Sequence, residues 1–150
     1  MAGSGRAGNP RRRRAGPERR LERAARHVLA WERARGTRVE LTLLDAPAMR
    51  RLNRRAMGRR RVTDVIAFAL PQPDGTLVGD VYVCPDYAER YAARNGKREA
   101  ATVTEELVRL AVHGTLHVLG YDHPEGAGRT RCGMWRRQER YVRRLMRRSR

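Results

Sequence analysis

The sequence predicts a single domain in which helices and strands share one core, and three observations carry that prediction. Apolar residues recur at three-to-four spacing in several stretches and alternate in others, and Gly, Pro or Asn stands at most of the boundaries between them. A chain of 150 residues and 17.2 kDa, 40% of them hydrophobic, is long enough to bury one such core.

Taken in order, residues 1–16 hold Gly, Pro, Ser and Arg with almost nothing apolar, which predicts a disordered basic arm preceding a single domain over 17–150. Pro17 opens a helix whose stripe is Leu21, Ala24, Ala25, Val28, Leu29 and Trp31, closing near Gly36. Residues 37–44 alternate, Val39, Leu41 and Leu43 against Glu40 and Thr42, as a half-buried strand does. Asp45 is placed to cap a helix over 46–57 that ends at Gly58. Strands at 63–70 and 77–83 flank Pro-Gln-Pro-Asp-Gly-Thr, whose fixed and positive backbone angles suit a hairpin reversal. A short helix from Pro85 to Arg94, a long one over 99–119 closed by Gly120, and an arginine-rich one over 128–148 complete the chain.

A formal net charge of +18 and a pI near 11.6 point to a polyanionic partner, nucleic acid before an anionic membrane surface, rather than to solubility alone. Arginine bias explains why Lys97 is the only lysine but not the excess of positive charge. No apolar run is long enough to span a bilayer, and the arginines near the N-terminus precede no apolar stretch of the secretory kind, so the expected compartment is the cytoplasm. Cys84 and Cys132 match no metal or redox spacing and read as free thiols.

The chemistry concentrates in HGTLHVLGYDH, where three of the four histidines fall within residues 113–123. His113 and His117, four apart on a helix, project from one face with Cβ atoms about 6 Å apart, within reach of one Zn²⁺. Gly120 lets the chain leave the helix and return His123 as a third ligand, so that three protein ligands leave a fourth position open, as in catalytic rather than structural zinc sites. The expectation is one zinc per chain. His27, on the first helix, reads as structural. The same register occurs in metzincin proteases, which need a glutamate directly after the first histidine; here that residue is Gly114, which cannot accept a proton.

HGTLHVLGYDH closely resembles the signature of the YbeY family, bacterial zinc-dependent endoribonucleases of ribosomal RNA maturation. The resemblance extends to Leu52-Asn53, to Thr63-Asp64-Val65-Ile66-Ala67-Phe68 and to Gly79-Asp80-Val81, and covers residues 17–147. It implies an α+β fold, a small mixed sheet with packed helices and a metzincin-like zinc helix across it, with the metal at the rim of a basic groove. It implies RNA as partner, ribosomal RNA or ribosomal particles, with no membrane and no small-molecule cofactor. The chain departs from the pattern where Ala56, Met57 and Val62 replace an aromatic residue, an arginine and a proline; that arginine faces the site in the family, so Arg55 or Arg59 has to reach in instead.

The catalytic residues expected beyond the histidines are Arg59 as phosphate clamp, and Asp64 and Asp122 for orienting a histidine or moving a proton. Both aspartates serve equally well as turn or strand-end caps. Glu106, on the stripe of His113, reads as a helix-surface salt link to Arg109. Two rivals remain: a zinc-bearing RNA-binding assembly factor without hydrolysis, favoured by Met57, and a metalloprotease, favoured by register alone.

Overall fold

The structure is a computed structural model and describes residues 16–58, 63–94 and 100–149. The arm expected at 1–16, apart from Gly16, and the run containing Arg59 lie outside the described residues. The elements follow in the order α1 (Gly16–Trp31), β1 (Thr37–Leu43), α2 (Ala46–Met57), β2 (Val65–Pro71), β3 (Leu77–Val83), α3 (Pro85–Arg94), α4 (Ala100–Val118), a 3₁₀ turn (Gly126–Arg131) and α5 (Gly133–Arg148).

The strands form one mixed sheet of order β1-β3-β2. A tight reversal makes β2 antiparallel to β3, with Ala67 opposite Val81, whereas β1 reaches β3 only after α2 and the hairpin and so lies parallel, Leu41 opposite Val81. The reversal is closed by the chemistry its residues suggest: Asp74 Oδ1 accepts from the Thr76 hydroxyl at 2.6 Å and the Thr76 amide at 3.0 Å, and the Gln72 amide donates to Thr76 O at 2.8 Å.

Alternation along the strands divides the apolar residues between two faces. Val81 and Val83 join Leu41 on the face covered by α1 and α4, where Leu21, Val28, Val112 and Leu116, with Val142 and Leu145 of α5 packed on α4, complete the main core. Ile66 turns to the opposite face and packs with Met49, Ala46 and Cys84, backed by Leu52, Phe68 and Tyr82. Each large apolar side chain so buried stabilises the fold by about 1.5–3 kcal/mol relative to leaving it exposed. α2 is set over this second face by Asp45, which accepts from the Ala48 amide at 2.8 Å, as the sequence expects of its cap.

Helix α4 lies against the sheet at unusually short range because glycines stand at both contact points. A Cβ on Gly79 would meet Val118 Cγ1 at 2.5 Å, and a Cβ on Gly114 would meet Val81 Cγ1 at 2.5 Å. The residue after the first histidine therefore faces the sheet, where no glutamate fits. The absence of the metzincin base follows from packing.

Two boundaries differ from expectation. The last helix begins at Gly133, not near 128, because Gly-Ala-Gly-Arg-Thr-Arg carries two helix-weak glycines and no apolar stripe; it forms a 3₁₀ turn with no buried residue. β2 starts at Val65 because the Asp64 side chain accepts from the Val65 amide at 2.8 Å and closes the strand end. Cys84 is buried and Cys132 half-buried, both as free thiols. Among the described residues no helix is long and apolar enough to cross a membrane.

Candidate metal centre

The site is built on the last two turns of α4. Because α4 is wrapped by the sheet, α1, α3 and α5, most of its length is buried, and His113 is only 5% exposed. Helical spacing brings His117 to the same face one turn on. The helix then ends in paired bonds, Gly120 N–H to His117 O at 3.0 Å and Tyr121 N–H to Leu116 O at 3.0 Å, with Gly120 at φ +94°. That left-handed geometry suits glycine and turns the chain so that His123 comes back over the helix end.

The three Nε2 atoms converge. His117 Nε2 lies 2.9 Å from His113 Nε2 and 3.2 Å from His123 Nε2, and the remaining pair is 3.2 Å apart. The opposite ring nitrogens decide the tautomers. His117 Nδ1 faces the Tyr121 carbonyl at 3.0 Å and His123 Nδ1 the Pro124 carbonyl at 3.1 Å, and a carbonyl can only accept, so both protons sit on Nδ1. His113 Nδ1 donates in the same way to Gln138 Oε1 at 2.7 Å. In the neutral rings all three Nε2 atoms then present lone pairs to one another, an arrangement that is repulsive unless a cation lies at its centre. Nitrogens about 2.0–2.1 Å from a common tetrahedral ion stand roughly 3.3–3.4 Å apart, close to the spacing here. These three histidines are positioned to bind a metal ion, and among the described residues they are the group of that kind.

Electrostatics agree with that reading. Burial drives the His113 pKa down to about 4, with Gln138 opposing and His117, Arg129 and His123 adding to the fall. Burial, and then His123, also lowers His117. A neutral imidazole is the form that ligates.

Beside the trio lies a cavity of about 600 Å³ whose wall includes His113, Asp64, Arg109, Arg129 and Gln138. Asp64, expected at the site, is on that wall; besides closing β2, its Oδ2 lies 4.0 Å from Arg129 Nη2. Asp122 accepts from the His123 amide at 2.8 Å, so its carboxylate braces the turn and is not bonded to an imidazole. Arg55 is exposed on α2. Glu106 does bind Arg109, at 2.7 Å, but it is 8% exposed and not on a helix surface; Arg109 also forks onto Glu139 of α5 at 2.9 and 3.0 Å. Burial raises the Glu106 carboxyl above its usual range against the pull of Arg109. His27 stacks on Trp31 at 5.5 Å between ring centres and is not one of the converging histidines.

Two side chains beside the trio escape sequence reasoning. Gln138 is 2% exposed and orients His113 from α5; the signal was a lone amide between Met134 and Val142 on the buried stripe. Arg129, close enough to depress both His113 and His117, comes from the 3₁₀ turn. Nothing local in the sequence marks it.

A trio of imidazoles, two from a helix and one from the turn that follows it, on a small mixed sheet and opening on a charged cavity, defines a class: α+β proteins with a three-histidine metal-ion site. The family described as endoribonuclease YbeY matches residues 9–146, and the chain belongs to it. A relative named endoribonuclease YbeY from Chlorobium phaeovibrioides is 36% identical over 134 residues, 87% of this chain and 84% of its own. Another of that name, from Mycolicibacterium smegmatis, is 38% identical over 98 residues, 58% of this chain, and this chain spans about half of that relative's length, 53%. A Thermotoga maritima protein solved in solution has the same fold, with a TM-score of 0.57, 28% identity, and coverage of 87% of this chain and 85% of its own.

Proposed function

We propose that this chain is a zinc-dependent endoribonuclease that cuts single-stranded segments of ribosomal RNA in the cytoplasm, in rRNA maturation and ribosome quality control. The observation that carries the reading is the trio of Nε2 atoms within 3.2 Å of one another, each ring held from behind by an acceptor, in a chain of the YbeY family. His113, His117 and His123 would hold one zinc, which supplies Lewis acidity at the scissile phosphodiester. Imidazole also suits nickel and cobalt; the three-nitrogen geometry and the family favour zinc.

The other residues position and neutralise. Arg129, beside the trio, draws a phosphate towards it and stabilises the charge that develops on the phosphorus oxygens. Arg59 is proposed to share that work from the arginine run that precedes β2 in the sequence. Asp64 holds Arg129 and is the carboxylate best placed on the cavity wall to take a proton from the nucleophile, whether water or the RNA's own 2′-hydroxyl. Asp122 acts through the turn, keeping His123 in place. The outward face of α5 offers Arg136, Arg140, Arg143 and Arg147 to the RNA backbone.

The test is cleavage of a structured ribosomal RNA fragment by protein loaded with zinc, beside His117→Ala purified identically. Cleavage lost in the variant supports the reading; equal cleavage by both assigns it to a contaminant. Met57, standing where the family pattern has arginine, favours a second reading, a zinc-containing RNA-binding assembly factor without hydrolysis. Tight RNA binding with no cleavage by either protein decides for it. The protease reading lacks the glutamate its register requires directly after the first histidine, since position 114 is a glycine packed against Val81.

A further inference from the structure

The cavity beside the trio does not have the charge of the rest of the molecule. In a chain of net charge +18 its wall carries four carboxyl groups, Asp64, Glu105, Glu106 and Glu139, against two guanidinium groups, Arg109 and Arg129. Apart from Arg129, whose charge reaches His113 and His117, such a wall disfavours a phosphate. It also carries aromatic surface. Among the described residues only three large apolar side chains are exposed, and two of them, Tyr87 at 37% and Tyr91 at 48%, stand one turn apart on α3 and line this cavity. Aromatic faces with carboxylate acceptors suit a flat ring bearing N–H donors.

We propose that this cavity is a base subsite: it takes one nucleobase of the RNA strand whose backbone passes the histidines, guanine in preference to the others. The proposal rests on the RNA reading above. Its volume of about 600 Å³ accommodates a purine with ordered water. Tyr91 and Tyr87 supply the stacking surface, and single-stranded RNA is recognised by splaying a base onto such surfaces and reading its Watson–Crick edge.

The reader is Glu105. Glu139 is occupied by the fork of Arg109, Glu106 is buried against the same guanidinium, and Asp64 closes β2. Glu105 keeps a 45% exposed side chain while Arg109 Nη2 holds its Oε1 at 3.1 Å, so the carboxylate is both accessible and oriented. Guanine offers N1–H and N2–H side by side, a pair that matches two carboxylate oxygens. Adenine and cytosine offer one amino donor beside a ring acceptor. Uracil sets its single N–H between two carbonyls, which a carboxylate repels.

The experiment uses the full chain loaded with zinc and fluorescein-labelled nine-nucleotide strands, uridine except at the centre, where guanine, adenine, cytosine, uracil or an abasic site stands. Anisotropy titrations at about 0.15 M salt keep backbone attraction from masking the base. The guanine strand is expected to bind about tenfold tighter than the abasic one, with uracil near the abasic value. Tyr91→Ala, at an exposed position, and Glu105→Gln, at a half-buried one, are checked for an unchanged melting curve, and each is expected to bring the guanine strand down towards the abasic affinity. Equal binding of all five strands, or a guanine preference that survives both substitutions, overturns the proposal. Cleavage is scored separately on the same strands: discrimination without cutting removes the nuclease reading alone, and cutting without discrimination removes the base subsite alone.

Discussion

At the scale of single residues, the site depends on what lies behind the histidines as much as on the histidines themselves. Gln138 fixes the proton of His113 on Nδ1, and its side chain is in turn braced against Glu139 at 3.4 Å. Outer partners of this kind typically govern metal affinity by about 10–100-fold. Gln138→Ala is expected to weaken zinc binding by about that factor, read by competition with a chromophoric chelator; unchanged affinity would mean that the ring is held by packing alone. Glu32 is a second such residue. It accepts from the hydroxyls of Tyr121 and Tyr141 at 2.7 and 2.5 Å and from Arg137 at 2.9 Å, tying the turn that follows α4 to α1 and α5. Burial works to raise its carboxyl pKa, but the bonds from Tyr141, Tyr121 and Arg137 outweigh it and hold it below the usual value. A carboxyl depressed in the folded state stabilises at pH above its unfolded pKa, about 4.3, and that stability is lost as pH falls through the lower folded value. Melting temperature followed from pH 7 to pH 3 should therefore decline less steeply in Glu32→Gln, from a lower starting point. Parallel declines would show that Glu32 is not among the groups that titrate on unfolding.

At the scale of elements, the tightest constraint is the seat of α4 on the sheet. With a Cβ at position 114 only 2.5 Å from Val81 Cγ1, Gly114→Ala must push helix and sheet apart, and overpacking of this sort costs about 1–3 kcal/mol. Thermal unfolding should show that loss, and Gly114→Ala with Val81→Ala should be less destabilised than the two single changes added together, because the second removes the atoms the first collides with. Strict additivity would place the strain elsewhere. This seat also marks where sequence reading stops. The strands, the Asp45 cap and the trio were legible because each rests on a period or spacing within about ten residues. Gly114 was legible as a missing base but not as a packing contact, since its partner lies in a strand 33 positions earlier. Gln138, Arg129 and the acidic cavity were hidden for the same reason: they meet the histidines only after α5 and the 3₁₀ turn fold back. The start of α5 is not legible because arginines continue through Arg129 and Arg131, while the apolar stripe that sets a helix begins only at Met134.

At the scale of the whole molecule, charge is distributed by function. The acidic wall beside the metal centre is local, whereas α5 turns Met134, Gln138, Tyr141, Val142 and Leu145 inward and leaves Arg136, Arg140, Arg143 and Arg147 exposed along its length. Some of its arginines also stack on the core's aromatic rim, Arg144 lying 4.3 Å from the centre of the Trp31 ring and Arg137 5.0 Å from that of Tyr121, so they serve packing as well as charge. Arg143 and Arg147 show no such contact and are the ones to change. If the exposed face tracks an RNA backbone, each phosphate neutralised on a single strand contributes about −0.7 to the slope of log K against log salt. The unmodified chain should then lose affinity for a uridine nine-mer steeply between about 50 and 200 mM salt, and Arg143→Ala/Arg147→Ala should weaken binding at low salt while making the slope shallower by about 1–1.4. The guanine preference should persist in that double variant, because the face that attracts the strand and the cavity that reads one of its bases are separate surfaces. A slope unchanged by the substitutions would move the RNA path off α5 and towards the arginines before β2.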